Sequence, residues 1–291
     1  LRRPPRSTLF PYPTLFRSDL VLRGGPETTV QAAIDRVGDL LAGREAPIAP
    51  PASLCFAATS FCNYDCVMCD CGERGTLDDQ PDPAFFDQAR SWAARGVELE
   101  VNGGEPLASP RFRAFLDRLA TDGIAPPPVG LVTNGSLLTP ERIDRWAPIL
   151  RGVVVSLNAA EPDTYRAINR GVPWEVVRGH LDHLLAARRE GRFLGGLAYS
   201  MVLLRANLQQ IPAFVSLTLN DDVDARFLLP QGDRNGQSVT TAPEPAARTA
   251  SLLREAAARL ESAGRARPAA ATAALARILA DRIARGVFEA L

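Results

Sequence analysis

S-F-C-N-Y-D-C-V-M-C-D-C, residues 60–71, is the most informative segment of this sequence. It places Cys62, Cys66 and Cys69 in a C-x3-C-x2-C array, with Cys71 just behind. Four of the five cysteines of the chain therefore fall within ten residues. In a reducing compartment, such clustering favours a metal-binding or catalytic role over a disulfide framework.

The clustered cysteines fit two kinds of metal site to different degrees. Structural zinc takes four ligands, usually from two cysteine pairs far apart in sequence, and the chain has no second pair. His180 and His183 could complete a zinc site, although a polar helix face is their commoner role. Three thiolates fit an iron–sulfur cluster with one open iron better. Cys71 is then a nearby free thiol that could compete as a ligand, and Cys55 is expected to be buried in mid-strand.

Composition and charge limit the classes of protein to which the chain can belong. With 291 residues, 46% apolar and 23% charged, it can bury the core of one large α/β domain or two smaller ones. Its formal net charge of zero argues against nucleic acid as a partner. The sequence shows no apolar run of transmembrane length and no signal peptide, so we expect a cytoplasmic protein without a membrane span.

The chain divides into four predicted parts. Residues 1–18 have no helical or strand period and resemble a translated sequencing adapter, so we treat them as an artefact or a disordered tail. Residues 19–51 contain a predicted helix at 28–43 and a Pro-rich linker. The main domain is predicted at 52–240, and a helical extension at 241–291.

Short apolar runs alternate with amphipathic segments throughout the main domain. The predicted strands are 53–59, 97–102, 128–133, 152–157, 197–203 and 224–229. The predicted helices are 83–95, 109–121, 139–149, 174–190 and 207–219, followed in the extension by 246–260 and 269–285. This alternation indicates parallel β-α-β units, arranged as an open doubly wound sheet or as a full or partial barrel. The cysteine loop follows the first strand, and in barrels the chemistry sits at such strand ends.

Polar turn motifs follow the next strands in order. They are N-G-G-E-P-L (102–107), V-T-N-G (132–135), S-L-N (156–158) and V-L-L-R-A-N (202–207). Each alone could be an ordinary turn, because Gly and Asn tolerate turn conformations. One such motif at each successive strand end, in addition to the cysteine loop, is improbable as coincidence.

The cysteine motif C-N-Y-D-C-V-M-C (62–69), together with these later segments, resembles the radical S-adenosylmethionine (radical SAM) enzymes. The resemblance runs from about residue 53 to 230 and implies a partial (β/α)6 TIM-type barrel, here with C-terminal helices. It implies that Cys62, Cys66 and Cys69 hold a [4Fe-4S] cluster whose open iron chelates SAM. The residues that it assigns to SAM binding are Met68, Gly103, Gly104, Glu105, Asn134, Ser156 and Asn158. Met68 replaces a residue that is often aromatic, and Asn158 stands where many relatives carry Asp.

The resemblance implies reductive cleavage of SAM to a 5′-deoxyadenosyl radical, which abstracts hydrogen from an unknown substrate. This would be oxidoreductase- or transferase-type chemistry on a small molecule or peptide, with electrons from a donor such as flavodoxin or ferredoxin. No catalytic residue beyond the cluster ligands is assigned. Because no cysteine follows Cys71, we expect a relative of the SPASM type that ends before its auxiliary-cluster domain. The adapter-like residues 1–18 imply that the natural N-terminus is missing too, so the chain is expected to be truncated at both ends. The alternatives are a non-catalytic iron–sulfur or zinc-binding α/β protein, or an inactive fragment of a larger enzyme.

Overall fold

The computed structural model describes residues 51–289, and before them Asp35, Gly38 and residues 41–43. Most of the predicted helix at 28–43 and of the Pro-rich linker therefore lies outside the described residues. Within the part that is described, the helices are too short or too polar to cross a membrane.

Six parallel strands form one sheet in the described part of the chain. They are β1 (Ser53–Ala57), β2 (Glu98–Asn102), β3 (Val129–Thr133), β4 (Leu150–Ser156), β5 (Gly196–Val202) and β6 (Asp224–Leu228). Their order across the sheet is the same as their order in the chain. A doubly wound sheet reverses its strand order part-way, whereas a β/α barrel does not. The sequential order therefore confirms the partial (β/α)6 barrel and excludes the doubly wound alternative.

Nine α-helices lie between and after these strands in the described residues. They are α1 (Cys71–Arg74), α2 (Pro83–Ala93), α3 (Pro110–Asp122), α4 (Pro140–Trp146), α5 (Pro162–Asn169), α6 (Trp174–Arg189), α7 (Ile211–Asn220), α8 (Pro243–Ser262) and α9 (Ala266–Ala284). All seven helices predicted between 83 and 285 are present, and the short helices α1 and α5 were not predicted. Helix α5 begins with Pro162 in its first turn, where a missing N–H costs nothing, and ends at Arg170, which is left-handed.

The two faces of the sheet differ in composition. Alternate strand residues pack against the helices in the main core, as Val101, Val155 and Met201 do. The other face carries small and charged side chains, shown by one row of register partners. That row is Cys55, Glu100, Gly130, Gly152 and Gly196.

Cys55 corrects one prediction. It is exposed and not buried, because β1 is an edge strand and Cys55 lies on the face opposite the helices. Its register partner is Glu100, and its Sγ accepts a weak hydrogen bond from the Asn102 amide at 3.8 Å. The period of a strand does not reveal which of its faces is covered.

Candidate functional site

The cysteine loop and the G-G-E segment pack together by backbone contacts at the ends of β1 and β2. The N–H of Gly104 donates to the carbonyl of Thr59 at 2.8 Å, and the N–H of Glu105 donates to that of Phe61 at 2.7 Å. A Cβ on Gly104 would lie 2.1 Å from the Phe61 carbonyl oxygen. Gly103 has φ of +123°, and a Cβ there would lie 2.5 Å from the Thr59 carbonyl oxygen. Both glycines are therefore required for this close approach.

Glu105 ties the end of β2 to the end of β3. Its side chain is fully buried and accepts from the Leu107 N–H at 3.0 Å, the Thr133 hydroxyl at 2.8 Å and the Asn134 N–H at 2.7 Å. Burial outweighs these three donors and raises the pKa of Glu105 to about 7. Because both carboxylate oxygens accept from the protein, the residue orients the G-G-E backbone through its side chain.

Asn134 connects the end of β3 to the Cys62 part of the loop. Its Nδ2 donates to Asn63 Oδ1 at 2.9 Å and lies 3.9 Å from the Sγ of Cys62. Its Oδ1 accepts from the Ser136 N–H at 2.9 Å and from the Ser136 hydroxyl at 2.6 Å. Asn63 Nδ2 donates to the same hydroxyl at 2.9 Å, which closes the network. The T-N-G turn therefore lies against the cysteine loop.

The carboxyl end of α5 holds the other side of the loop. The Val67 N–H donates to the Ile168 carbonyl at 2.9 Å. The Tyr64 and Tyr165 hydroxyls are 2.8 Å apart, and both rings are buried. A Cβ on Gly171 would lie 2.2 Å from the Tyr64 ring, so the absence of a side chain at this position makes room for that ring.

Asn158 and Ser156, the predicted site residues after β4, have different surroundings. The Asn158 amide is buried and is bonded to Asn169 and to the Val202 N–H, at 2.8 and 2.9 Å. The Ser156 hydroxyl lies on the sheet face opposite the helices, at 3.4 Å from the Ser200 hydroxyl. Asn169 was not singled out in the sequence, because it lies 103 residues from Cys66, which it contacts.

Met68 and the two histidines have partners that the sequence did not indicate. Met68 packs, half-buried, in a small apolar cluster that contains Val67 and Ile168. His180 Nδ1 lies 3.0 Å from the Gly135 carbonyl oxygen, and His183 Nε2 lies 2.8 Å from an Asp144 oxygen. The histidines therefore have bonding partners other than the cysteines, which weakens the zinc alternative.

The three motif thiols influence one another electrostatically. Burial raises the pKa of Cys66, and the neighbouring Cys62 and Cys69 raise it further. Burial is also the largest cause that raises the pKa of Cys62 to about 11, with Glu105 and Cys69 adding to it. Three thiolates that repel one another in a half-buried site are stabilised by a bound cation, which deprotonates its ligands. A donor set of three thiolates fits the iron of an iron–sulfur cluster.

Cys69 is also close to Cys71. The ligand atoms of Cys69, Asp70 and Cys71 lie within 4.8 Å of one another, and no other such group of three occurs among the described residues. A hydrogen bond from Cys71 lowers the pKa of Cys69 to about 6. A single ion requires ligands this close together, whereas a cluster holds each ligand on a different iron. The Sγ atoms of Cys62, Cys66 and Cys69 form no such group within 4.8 Å, which is compatible with a cluster.

Comparison with known families gives one match to more than half of the chain. A family model described as Radical SAM superfamily matches residues 57–217. This range begins at the end of β1 and contains the cysteine loop and all the predicted SAM-binding residues.

Curated relatives and solved structures resemble parts of the chain. A GTP 3′,8-cyclase of Xanthomonas campestris pv. campestris (strain B100) is 32% identical over 146 residues, 47% of this chain and 41% of the relative. The GTP 3′,8-cyclase of Chlorobaculum tepidum is 32% identical over 175 residues, 59% and 51% of the two chains. The chain thus spans about half the length of the curated relatives it matches.

Two solved structures have a similar fold. The structure described as native anSMEcpe with bound AdoMet has a TM-score of 0.56 and 14% identity, over 74% of this chain and 63% of that chain. The same protein with bound AdoMet and Cp18Cys peptide has a TM-score of 0.54 and 16% identity, over 74% and 62%. At these identities the likeness shows the fold alone.

Proposed function

This chain belongs to the radical SAM superfamily, and we therefore propose that it cleaves S-adenosylmethionine reductively. Members of the superfamily use a [4Fe-4S] cluster and SAM. The observation that carries the proposal is the packing of the C-x3-C-x2-C loop against the G-G-E segment at the carboxyl ends of β1 and β2. When bound, a reduced cluster supplies one electron to the SAM sulfonium, which breaks the C5′–S bond and yields methionine and a 5′-deoxyadenosyl radical.

The residues of this chain have separate tasks in that reaction. Cys62, Cys66 and Cys69 would hold the cluster as thiolates. The amino group of SAM is a donor, so it needs acceptors, and the Gly104 and Glu105 N–H groups are already bonded to the cysteine loop. The carbonyl groups of Gly103 and Gly104 are the acceptors that this segment can offer, with the Glu105 carbonyl already accepting from the Ala108 N–H at 2.9 Å. Glu105 keeps that backbone in place from within the core.

The remaining SAM contacts and the substrate belong to the same proposal. Ser156 lies on the sheet face opposite the helices, which suits contact with the ribose. Met68 is part of the cysteine loop, and Asn134 lies in the turn after β3 that contacts this loop. The radical would abstract hydrogen from a small molecule or peptide, in an oxidoreductase- or transferase-type reaction, with electrons from flavodoxin or ferredoxin. Cyclisation, the reaction named for the curated relatives, is the other type to test for by product analysis.

The experiment is anaerobic reconstitution of the chain with iron and sulfide, followed by reduction with SAM present. We expect release of 5′-deoxyadenosine, and we expect Cys62→Ala, Cys66→Ala and Cys69→Ala each to reduce it to background, because each loses one of three cluster ligands. Cys55→Ala is the matched control, since Cys55 is exposed on β1, and it should retain release. Release that persists in all three motif variants, or full zinc occupancy without iron uptake, would contradict the proposal.

A further inference from the structure

Three buried asparagines from three different segments form a network that reaches Cys66 through one of them. Asn158 follows β4, Asn169 ends α5, and Asn207 follows β5. Their exposed fractions are 3%, 1% and 0%. A buried amide carries two donors and an acceptor, each of which needs a partner, so the bonds among these residues define what each can do.

The asparagines form a closed network with the backbone around them. Asn158 Nδ2 donates to Asn169 Oδ1 at 2.8 Å, and Asn169 Nδ2 donates to the Leu157 carbonyl at 2.8 Å. Asn207 Nδ2 donates to the carbonyls of Asn158 and Val202, both at 2.8 Å. Because Asn158 Oδ1 accepts from the Val202 N–H at 2.9 Å, the orientation of its amide is determined by the backbone.

Asn169 connects this network to Cys66. The Sγ of Cys66 donates to the Asn169 carbonyl at 3.4 Å and lies 3.9 Å from Asn169 Oδ1. On either side of this contact, Val67 and Asp65 donate backbone N–H groups to Ile168 and Arg170, at 2.9 and 3.3 Å. A displacement of the Asn169 side chain would therefore reach the Cys66 segment directly.

The backbone of Asn158 aims its side chain into the interior. Asn158 has φ of +60°, a left-handed conformation that Asn adopts more readily than most residues. Its amide oxygen and nitrogen then both bond to the protein, to Val202 and Asn169. Asn158 is also only 3% exposed, so little of the amide is left for a ribose hydroxyl to reach.

We propose that Asn158 is a positioning residue that holds Cys66 through Asn169, and is not a ligand of the SAM ribose. The consequence for a bound cluster rests on the proposed function and passes through the backbone bonds of Asp65 and Val67, because a cluster-bound Cys66 thiolate has no S–H to donate. The effect on the free Cys66 thiol does not rest on the proposed function. The proposal also predicts the effect of placing Asp at position 158. Asn158→Asp would set a carboxylate oxygen against Asn169 Oδ1 at 2.8 Å, where two acceptors repel, although a ribose would be bound by Asp as well as by Asn.

The first test uses the iron-free full chain. We would compare alkylation rates of each cysteine by mass spectrometry, at one pH, in the unsubstituted chain, Asn158→Asp and Asn158→Gly. The Gly variant removes the amide, keeps the left-handed backbone and buries no charge, so it tests the proposal even if the Asp variant does not fold. The alkylation rate at Cys66 should rise about tenfold, because the segment opens more often once one buried hydrogen bond is removed. The alkylation rate at Cys62 should stay within about twofold.

Thr218→Val is the matched control for loss of a buried hydrogen bond elsewhere. Thr218 is fully buried on α7 and donates to the Val215 carbonyl at 2.9 Å. Its substitution should leave the rate at Cys66 unchanged. An unchanged Cys66 rate in both Asn158 variants, or an equal rise in Thr218→Val, would overturn the inference.

The second test uses the reconstituted chain and separates the inference from the proposed function. In Asn158→Gly we expect less iron per chain, or an altered electron paramagnetic resonance signal of the reduced cluster without SAM. SAM affinity of the loaded fraction should stay within about twofold, since no SAM contact is lost. An unaltered cluster with SAM bound about tenfold more weakly or worse identifies a ribose ligand and overturns the inference. If the unsubstituted chain takes up no cluster, the proposed function fails, and the alkylation rates still decide the role of Asn158.

Discussion

On the Cys62 side, the cysteine loop is held through the Asn134 amide and, behind it, a buried carboxylate, whereas on the Cys66 side it is held through neutral amides and a pair of tyrosines. Glu105 collects three donors from the ends of β2 and β3 on the first side. Asn169 and Tyr165, both from α5, contact the loop on the second side. The two sides thus hold the same loop, but only the first side includes a buried carboxylate.

The buried carboxylate makes the two sides respond differently to pH and to substitution. A buried carboxylate accepts hydrogen bonds when it is ionised but loses its solvation by water. Its contribution to the free energy of unfolding therefore depends on whether it is protonated. Amides and phenols do not ionise near neutral pH. The Cys62 side should therefore be sensitive to pH, and the Cys66 side should not.

The largest expected effect on the free energy of unfolding is at Gly104, which packs against backbone. It is compared with Gly171, which packs against a side chain. Gly104→Ala should lower the free energy of unfolding by about 3 kcal/mol or more, because its Cβ would meet the Phe61 carbonyl oxygen at 2.1 Å and neither backbone can retreat. Gly171→Ala on the Cys66 side should cost about 1–3 kcal/mol, because the Tyr64 ring can shift. Urea unfolding measures both variants. A greater loss in Gly171→Ala than in Gly104→Ala would reverse the comparison.

The next effect is the pH dependence contributed by Glu105. Its native pKa of about 7 exceeds the ordinary value of 4.5, so between these values the native state binds more protons than the unfolded state. The stabilising contribution of protonated Glu105 is present below pH 4.5 and lost as the pH rises through about 7. The loss should be on the order of 3 kcal/mol in the free energy of unfolding, measured by urea unfolding across this range.

Glu105→Gln tests the origin of that slope. The variant should lose this part of the pH dependence and cost about 1–3 kcal/mol at low pH, because an amide nitrogen would face the Asn134 N–H. Asn158→Gly, on the Cys66 side, should retain the slope. An identical slope in Glu105→Gln and in the unsubstituted chain would show that other carboxylates produce it.

The smallest effect concerns the tyrosine pair. Tyr64→Phe removes the hydrogen bond between hydroxyls 2.8 Å apart and should lower the free energy of unfolding by about 1 kcal/mol, at all pH values between 5 and 8. Combining it with Tyr165→Phe should cost less than the sum of the two single variants, since both remove the same bond. Strictly additive costs in that double-mutant cycle would mean that the two hydroxyls are not coupled.

The positions of the strands and of the cysteine loop follow from local sequence. Each predicted strand overlaps an observed one, because a buried parallel strand needs a local apolar run bounded by turn residues. The cysteine spacing and the G-G-E motif are also local, so their meaning could be inferred before any contact was known. Helix α5 was missed because its eight residues, beginning at Pro162, are too few for a clear helical period.

The support of the site depends on contacts between residues that are far apart in sequence. Cys55 is exposed because of its place on an edge strand, and local alternation cannot show which face of a strand is covered. Cys66 meets Asn169 across 103 residues, and Glu105 meets Thr133 across 28. Such contacts arise when parallel strands bring their carboxyl ends to one edge of the sheet, and no short stretch of sequence contains both partners.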